Sequence, residues 1–484
     1  MSDLPHSGYF QENYAVFKRL KIRGPKPSLL FGNSLEFKSK FVLDVFSNWY
    51  KHYGKVYGFY EGLRPSLVVS DPELIKQILG NDFSKFQDRT ECVPFLYWPD
   101  NINVVNATGS QWKRERAVVA SSFNATSLPE MVGEVASVAD GMTSLLMAHI
   151  NKPVDIANWC DRYAVDSFAR AAFGFPVNSL ENEEDLLLRF MRANFQQGDI
   201  ENALTGLARL FPSLVPILKK FNGDYERLHH QHLSNVQTLI KEFKTQFMMG
   251  KLTKKNLMTN LLEAYNVYRD EENNDCKRGL SDEELLSQVH GLIGAGFGQT
   301  NNLLAFAVYN IAKYPDVQKN VFQEVDRMVP KEDTMNYDSL GHLEYLDTVL
   351  HETLRVFPIA PGVTRVCTES CVINDVTIPK GMVIRLMSSP IYSDPEIYPE
   401  PEKFDPERFT ASEKAKRHPQ TFLGVGYGPR MCLGWRLGMI QCKAAIARLV
   451  QNFHIELAQE GPLNTTLRPV LSPKDGVWIT LKPR

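Results

Sequence analysis

Cys432 is the residue whose surroundings most demand a chemical explanation. It belongs to the segment Gly424 to Gly438, GVGYGPRMCLGWRLG, in which Gly424, Gly426 and Gly428 alternate with larger residues and Pro429 follows. Alternating glycines and a proline force a tight loop. Beyond it the sequence turns amphipathic, so the thiol stands immediately before a helix. There, aligned backbone N–H groups and the positive dipole end lower a thiol pKa and favour the thiolate. Small flanking residues let a flat, bulky cofactor approach the backbone, and Arg430 supplies a cation for a cofactor carboxylate. A buried structural cysteine would account for the thiol alone, but not for the glycine spacing or the arginine.

A second constellation is His351-Glu352-Thr353-Leu354-Arg355. Glu352 and Arg355 are three apart and share a helix face. Their neighbours Val349, Leu350, Leu354, Val356 and Phe357 are apolar, which predicts a buried pair in need of a third charge; Arg408 could supply it. A third constellation lies in a long helix opened by Ser281 and Glu284, a capping box. Gly294, Gly296 and Gly298 fall within it. Each mid-helix glycine costs about 1 kcal/mol relative to alanine, which predicts a loosened, bulged helix. Ala295 and Gln299 lie four apart and share a face.

Other patterns are set aside. Gly294-Ala-Gly296-Phe-Gly298 and Gly424-Val-Gly426-Tyr-Gly428 resemble dinucleotide loops, but the third glycine of that motif would fall at Gln299 and Pro429. His229, His230 and His232 read as a solvated helix face. The seven cysteines (92, 160, 276, 367, 371, 432 and 442) contain no C-x-x-C pair, which fits free thiols in a reducing compartment.

The elements that must position these residues are mostly helical. Apolar spacing of three and four predicts helices over 112–150, 226–248, 281–314 and 434–455. Residues 55–70 read as a hairpin around Glu61-Gly62, and 371–386 as another with Pro379-Lys380-Gly381 as its turn. The expected class is mainly α with small β-sheet patches. The charged run 269–284 reads as a linker or surface loop. Residues 203–221, ALTGLARLFPSLVPILKKF, read either as two short helices on the core or as a segment dipping into a membrane interface, with Lys219 and Lys220 at the headgroups. Residues 1–22 contain no signal-like apolar run and no evident membrane anchor. The 484 residues carry 54 Lys+Arg and 56 Asp+Glu, a net charge of −2. That balance, with a pI of about 6.6, argues against nucleic-acid binding, and a mean hydropathy of −0.26 excludes a polytopic membrane protein.

Together these segments resemble a cytochrome P-450, a haem-thiolate monooxygenase, over nearly the whole chain. The Cys432 loop is similar to the family's F-x-x-G-x-R-x-C-x-G signature, with Gly428, Arg430, Cys432 and Gly434 in place. Glu352, Arg355 and Arg408 match its structural triad behind the haem, and Trp112 with Arg116 its W-x-x-x-R helix. The resemblance is to the microsomal group containing family-3 drug oxidases and thromboxane synthase. It implies the cytochrome P-450 fold, with residues 23–484 forming one haem-enclosing domain, and haem b (iron protoporphyrin IX) with Cys432 as iron ligand. It also places Trp112, Arg116, Arg365 and Arg430 on the propionates and Ala295 against the haem.

Two departures stand out. Val425 replaces the usual Phe beside the thiolate. In α-helical register, the acid and first alcohol of the family's A/G-G-x-D/E-T-T/S pattern become Gly298 and Gln299, and Thr300 survives one place later. Gln299 exchanges hydrogen bonds but supplies no carboxylic proton. Gln299 and Thr300 are therefore the expected catalytic pair, holding water in place of the relay, with more peroxide released per NADPH.

The resemblance implies insertion of one oxygen atom of dioxygen into a lipophilic substrate. The pocket walls are expected near Pro94 to Val105, residues 195–216, Phe297, and Ile359 to Val363. The implied partners are NADPH–cytochrome reductase, docking near Cys432 with Lys414, Lys416 and Arg417 as contacts, and cytochrome b5. The implied location is the cytosolic face of the endoplasmic reticulum membrane, with peripheral contact. The alternatives are a haem-thiolate isomerase or peroxide-dependent enzyme acting on a lipid hydroperoxide or endoperoxide, and a non-catalytic haem-binding protein.

Overall fold

The computed structural model describes all residues except 1–11, 13, 90–101, 198–206, 209, 222, 253, 271–278, 332–334 and 468–469. In chain order, the helices that bear on the site are α1 (Gly109–Ala120), α2 (Leu128–Leu146), α3 (Ile156–Phe168), α4 (Leu186–Gln197), α5 (Gly223–Met248), α6 (Asp282–Lys313), α7 (Glu344–Val356) and α8 (Trp435–Asn452). The capping box behaves as expected. Ser281 Oγ accepts from the Glu284 N–H at 3.1 Å, and Glu284 accepts from the Ser281 N–H at 2.9 Å.

The single run expected over 112–150 is two helices. Asn124 Oδ1 accepts from the N–H groups of Thr126 and Ser127, a local turn that competes with the helix, and Pro129 restarts it. The run expected to 455 stops at Asn452, because Phe453 begins a strand. α8 is buried on nearly every side from Leu437 to Gln451, and Ala444, Ala445 and Ala447 let its neighbours approach closely. It packs with α2 and α6, and α6 packs along α3, in one continuous core.

The strands are β1 (Val56–Glu61), β2 (Arg64–Val69), β3 (Pro153–Asp155), β4 (Gly362–Val366), β5 (Cys371–Ile373), β6 (Val376–Ile378), β7 (Val383–Met387), β8 (Phe453–Leu457), β9 (Thr465–Leu467), β10 (Leu471–Pro473) and β11 (Trp478–Pro483). They form a four-stranded sheet ordered β1-β2-β7-β4, a three-stranded sheet β3-β11-β8 and two small pairs. The hairpin over 55–70 is present, with Gly62 at φ +61° in its turn. The hairpin expected around Pro379–Gly381 is not. Instead β5 pairs with β6 across Asn374-Asp375, both at positive φ, a two-residue turn whose twist matches the strands. β7 joins β2 in parallel and β4 antiparallel.

α6 runs unbroken through Gly294, Gly296 and Gly298, so the expected bulge is absent. The glycines instead admit neighbouring side chains. A Cβ on Gly291 would fall 2.4 Å from Asn103, and one on Gly296 would fall 2.6 Å from Phe168. No described helix is long and apolar enough to cross a membrane.

Candidate functional site

The loop before Cys432 is held by its own backbone. Gly426 and Gly428 take φ of +79° and +75°, where a side chain is strained. A Cβ on Gly428 would also fall 1.9 Å from the Leu79 carbonyl oxygen, so close backbone packing requires this glycine. The Cys432 N–H donates to the Val425 carbonyl at 2.9 Å. The thiol is exposed and sits ahead of α8, whereas Cys160, Cys367 and Cys442 are buried. Although solvent reaches the residue, the protein atoms crowded around the sulfur strip it of hydration and raise its pKa above the ordinary value, contrary to the expected lowering. The backbone N–H groups of Gly434 and Trp435 and the guanidiniums of Arg89 and Arg116 pull the other way.

Of the donors expected around the loop, Arg116, Arg430 and Trp112 lie together beside it. Arg116 Nη2 donates to the Met431 carbonyl at 2.8 Å, next to Cys432. The Arg430 guanidinium stacks 4.6 Å over the Trp112 ring. It donates from Nη1 to the Gln87 carbonyl at 2.9 Å and from Nη2 to the Ala107 carbonyl. Trp112 is buried, and its indole Nε1 has no hydrogen-bond partner among the described residues. Arg365 is 1% exposed on β4.

What ties them together is the short segment Gln87–Arg89, which the sequence reading missed. The Asp88 carbonyl accepts from the Val366 N–H at 2.9 Å, beside Arg365, and its carboxylate accepts from the Gly109 N–H at 3.1 Å, at the start of α1. Arg89 Nη2 donates to the Arg430 carbonyl at 3.2 Å. Arg89 is thus a fifth candidate donor. Standing alone in a polar run, it offered no spacing by which to find it.

Between Glu284 and Ile311 of α6, only Ala295 and Gln299 are exposed. One helical turn apart, they form one exposed face of the helix. Thr300 is not on it. Thr300 is buried and turned toward α8, its Oγ1 3.4 Å from where a Gly438 Cβ would stand. The structure therefore does not join Thr300 to Gln299. Phe297 is also buried away from that face, its ring 5.4 Å from that of Phe195. Residues 94–101 of the expected pocket wall lie outside the described residues.

The triad forms as expected. Arg355 holds Glu352 with two bonds of 2.7 and 2.8 Å, and Arg408 lies 3.6 Å from the same carboxylate. The Asp405 N–H adds a third donor at 2.9 Å. Arg417, expected at a docking surface, instead turns inward: it donates to the Arg408 carbonyl and stacks on Tyr398. Lys414 and Lys416 remain exposed.

Two of the three histidines of α5 depart from the expected solvated face. His230 is exposed, but His229 and His232 are buried against Phe190 and His290, with His232 stacked 4.0 Å from the Phe190 ring. The apolar face that α5 turns to α4 and α6 overrides their polarity. Glu115 was also missed. It hides in the run Lys113–Arg116, which reads as solvated, yet it is fully buried between α1 and α6, and burial pushes its carboxyl up to about 7.

A family model described as Cytochrome P-450 matches residues 22–480. Cytochrome P-450 3A7 of Homo sapiens is 32% identical over 479 residues, covering 98% of this chain and 92% of that protein. Cytochrome P-450 3A41 of Mus musculus is 31% identical over 482 residues, 98% and 94% of the two chains. Cytochrome P-450 3A40 of Oryzias latipes is 32% identical over 476 residues, 97% and 93%. Nothing in these matches supports the isomerase alternative.

Proposed function

The chain belongs to the cytochrome P-450 family and is an oxidoreductase of the monooxygenase type that binds haem b; on that premise we propose that Cys432 is its thiolate iron ligand and that a lipophilic organic molecule is its substrate. The observation that carries this reading is the convergence of donors beside one exposed thiol. Trp112 Nε1 is buried without a hydrogen-bond partner among the described residues, and Arg116 and Arg430 bracket the residues next to Cys432. That donor set fits a cofactor that carries two carboxylates and an iron able to take a thiolate ligand.

Bound haem b supplies the redox iron at which dioxygen is activated. The chain's own residues do the rest. Coordination deprotonates a thiol outright, and the Gly434 and Trp435 N–H groups with Arg89 and Arg116 stabilise the resulting charge. Arg116, Arg365 and Arg430 would bind and neutralise the cofactor's carboxylates, Trp112 would donate its indole N–H to them, and Ala295 would leave room for the cofactor. Gln299, on the same face as Ala295, orients water by donating and accepting, without an acidic proton of its own. Thr300 we assign to packing on α8.

Electrons come from NADPH–cytochrome reductase, with cytochrome b5 as a second donor, at the surface carrying exposed Lys414 and Lys416. Residues 23–484 act as one unit at the cytosolic face of the endoplasmic reticulum membrane. In the segment 203–221, Leu207, Leu214, Ile217 and Phe221 are exposed and support peripheral contact there.

Reconstitution with the reductase, NADPH and isotopically labelled dioxygen tests the reading on a panel of lipophilic arenes. One labelled oxygen atom per product is expected, and Cys432→Ser should abolish it. Unlabelled product, or turnover without NADPH, would overturn it.

A further inference from the structure

One side of α6 is notched by glycines, and a residue of α4 fills the notch beside the Gln299 face. A Cβ built on Gly298 would fall 1.9 Å from the Phe195 ring, and its three nearest atoms all belong to that ring. Asn194, the residue before Phe195, lies 3.7 Å from the corresponding point on Gly294. The ring is braced edge-on by Phe297 at 5.4 Å. The backbone is fixed as well: Asn302 Nδ2 donates to the Gly298 carbonyl at 2.7 Å, and Asn301 donates to Asp161 on α3. Close-packed interiors do not let two groups share such a space. Position 298 also lies about 100° around the helix from 299, so it flanks the exposed face rather than opposing it.

We propose that Phe195 is a specificity-determining residue: its ring stands where a side chain at 298 would stand, and it excludes both water and a proton-donating carboxylate from that flank of the Gln299 face. The proposal deepens the monooxygenase reading, on which its catalytic consequence rests. The acid is then not simply missing from α6; the fold has closed its place with an aromatic ring. Protons reaching Gln299 must arrive along the other flank, and the closed flank adds apolar wall against a lipophilic substrate.

A double-mutant cycle in the haem-loaded full chain tests this, because glycine to alanine in mid-helix has a known sign. Freed of steric conflict, it stabilises. Gly298→Ala should therefore lower Tm by a few degrees with Phe195 present and raise it in a Phe195→Ala background. A rise in both backgrounds means the ring swings aside freely and overturns the proposal. Peroxide released per NADPH is the second readout. It should fall at least twofold in Phe195→Ala/Gly298→Glu relative to the unaltered protein, while Phe195→Ala alone leaves the acid absent and gives no such fall. An unchanged ratio in the double variant, with the Tm reversal intact, overturns the exclusion of the relay. Failure of the monooxygenase reading is recognisable separately, as no NADPH consumption in any variant while the Tm reversal persists.

Discussion

Glu352 lies fully buried between Arg355 and Arg408, and removing one charge from such a cluster leaves the others uncompensated. Glu352→Gln is therefore expected to cost roughly 3–5 kcal/mol in denaturant unfolding and to reduce haem retention. Glu115 gives a pH signature. Its folded carboxyl is raised to about 7 from the ordinary value of 4.5. Between those values the unfolded chain has lost the proton that the folded chain keeps, so this group's contribution falls as pH rises from about 4.5 to 7. Glu115→Gln should remove that slope and add on the order of 2 kcal/mol at pH 8, measured by unfolding across pH. Glu352 and Arg355 were legible because helix geometry ties a spacing of three to a shared face, whereas Trp112 and Arg116 were legible only through the family resemblance. Glu115, His229 and His232 were not. Polar type predicts solvent, and only packing between helices reverses that.

At the scale of elements, the loop before α8 depends on backbone approach. Gly428→Ala would bring a Cβ within 1.9 Å of the Leu79 carbonyl and strain a φ of +75°. The left-handed conformation alone costs roughly 1–2 kcal/mol. The variant should purify with little bound haem, read as the ratio of haem to protein absorbance. Helix existence was legible from periodicity and from the Ser281–Glu284 cap, but helix ends were not. The break at Asn124–Ser127 comes from a side-chain turn that a periodicity count passes over, and the strand at Phe453 follows α8 without a breaker. The misplaced hairpin has the same origin. Pro379–Gly381 carries the familiar turn residues, yet Asn374-Asp375 takes the tighter turn, and β7 finds its partners in distant β2 and β4. The glycines of α6 pointed to a loosened helix, when their cause was Phe168, Phe195 and Asn103 pressing on its sides.

For the molecule as a whole, the exposed apolar residues are not scattered evenly. Gly62 lies against Leu210, which brings the 207–221 segment near the first hairpin, and Tyr14 bridges that turn to exposed Leu29. A membrane interface would cover Ile217 and Phe221, each worth roughly 1.5–3 kcal/mol when buried. Ile217→Ser/Phe221→Ser should accordingly weaken association with phospholipid vesicles at least tenfold in a flotation assay, and unchanged flotation would remove this segment from the contact. The central proposal is narrower: Cys432 is the residue that holds the haem iron. The carbon-monoxide difference spectrum of the dithionite-reduced protein tests it most directly. The account predicts a thiolate-type Soret band that is lost in Cys432→Ser with the fold retained. A band typical of histidine ligation, or a thiolate band that survives Cys432→Ser, would contradict it.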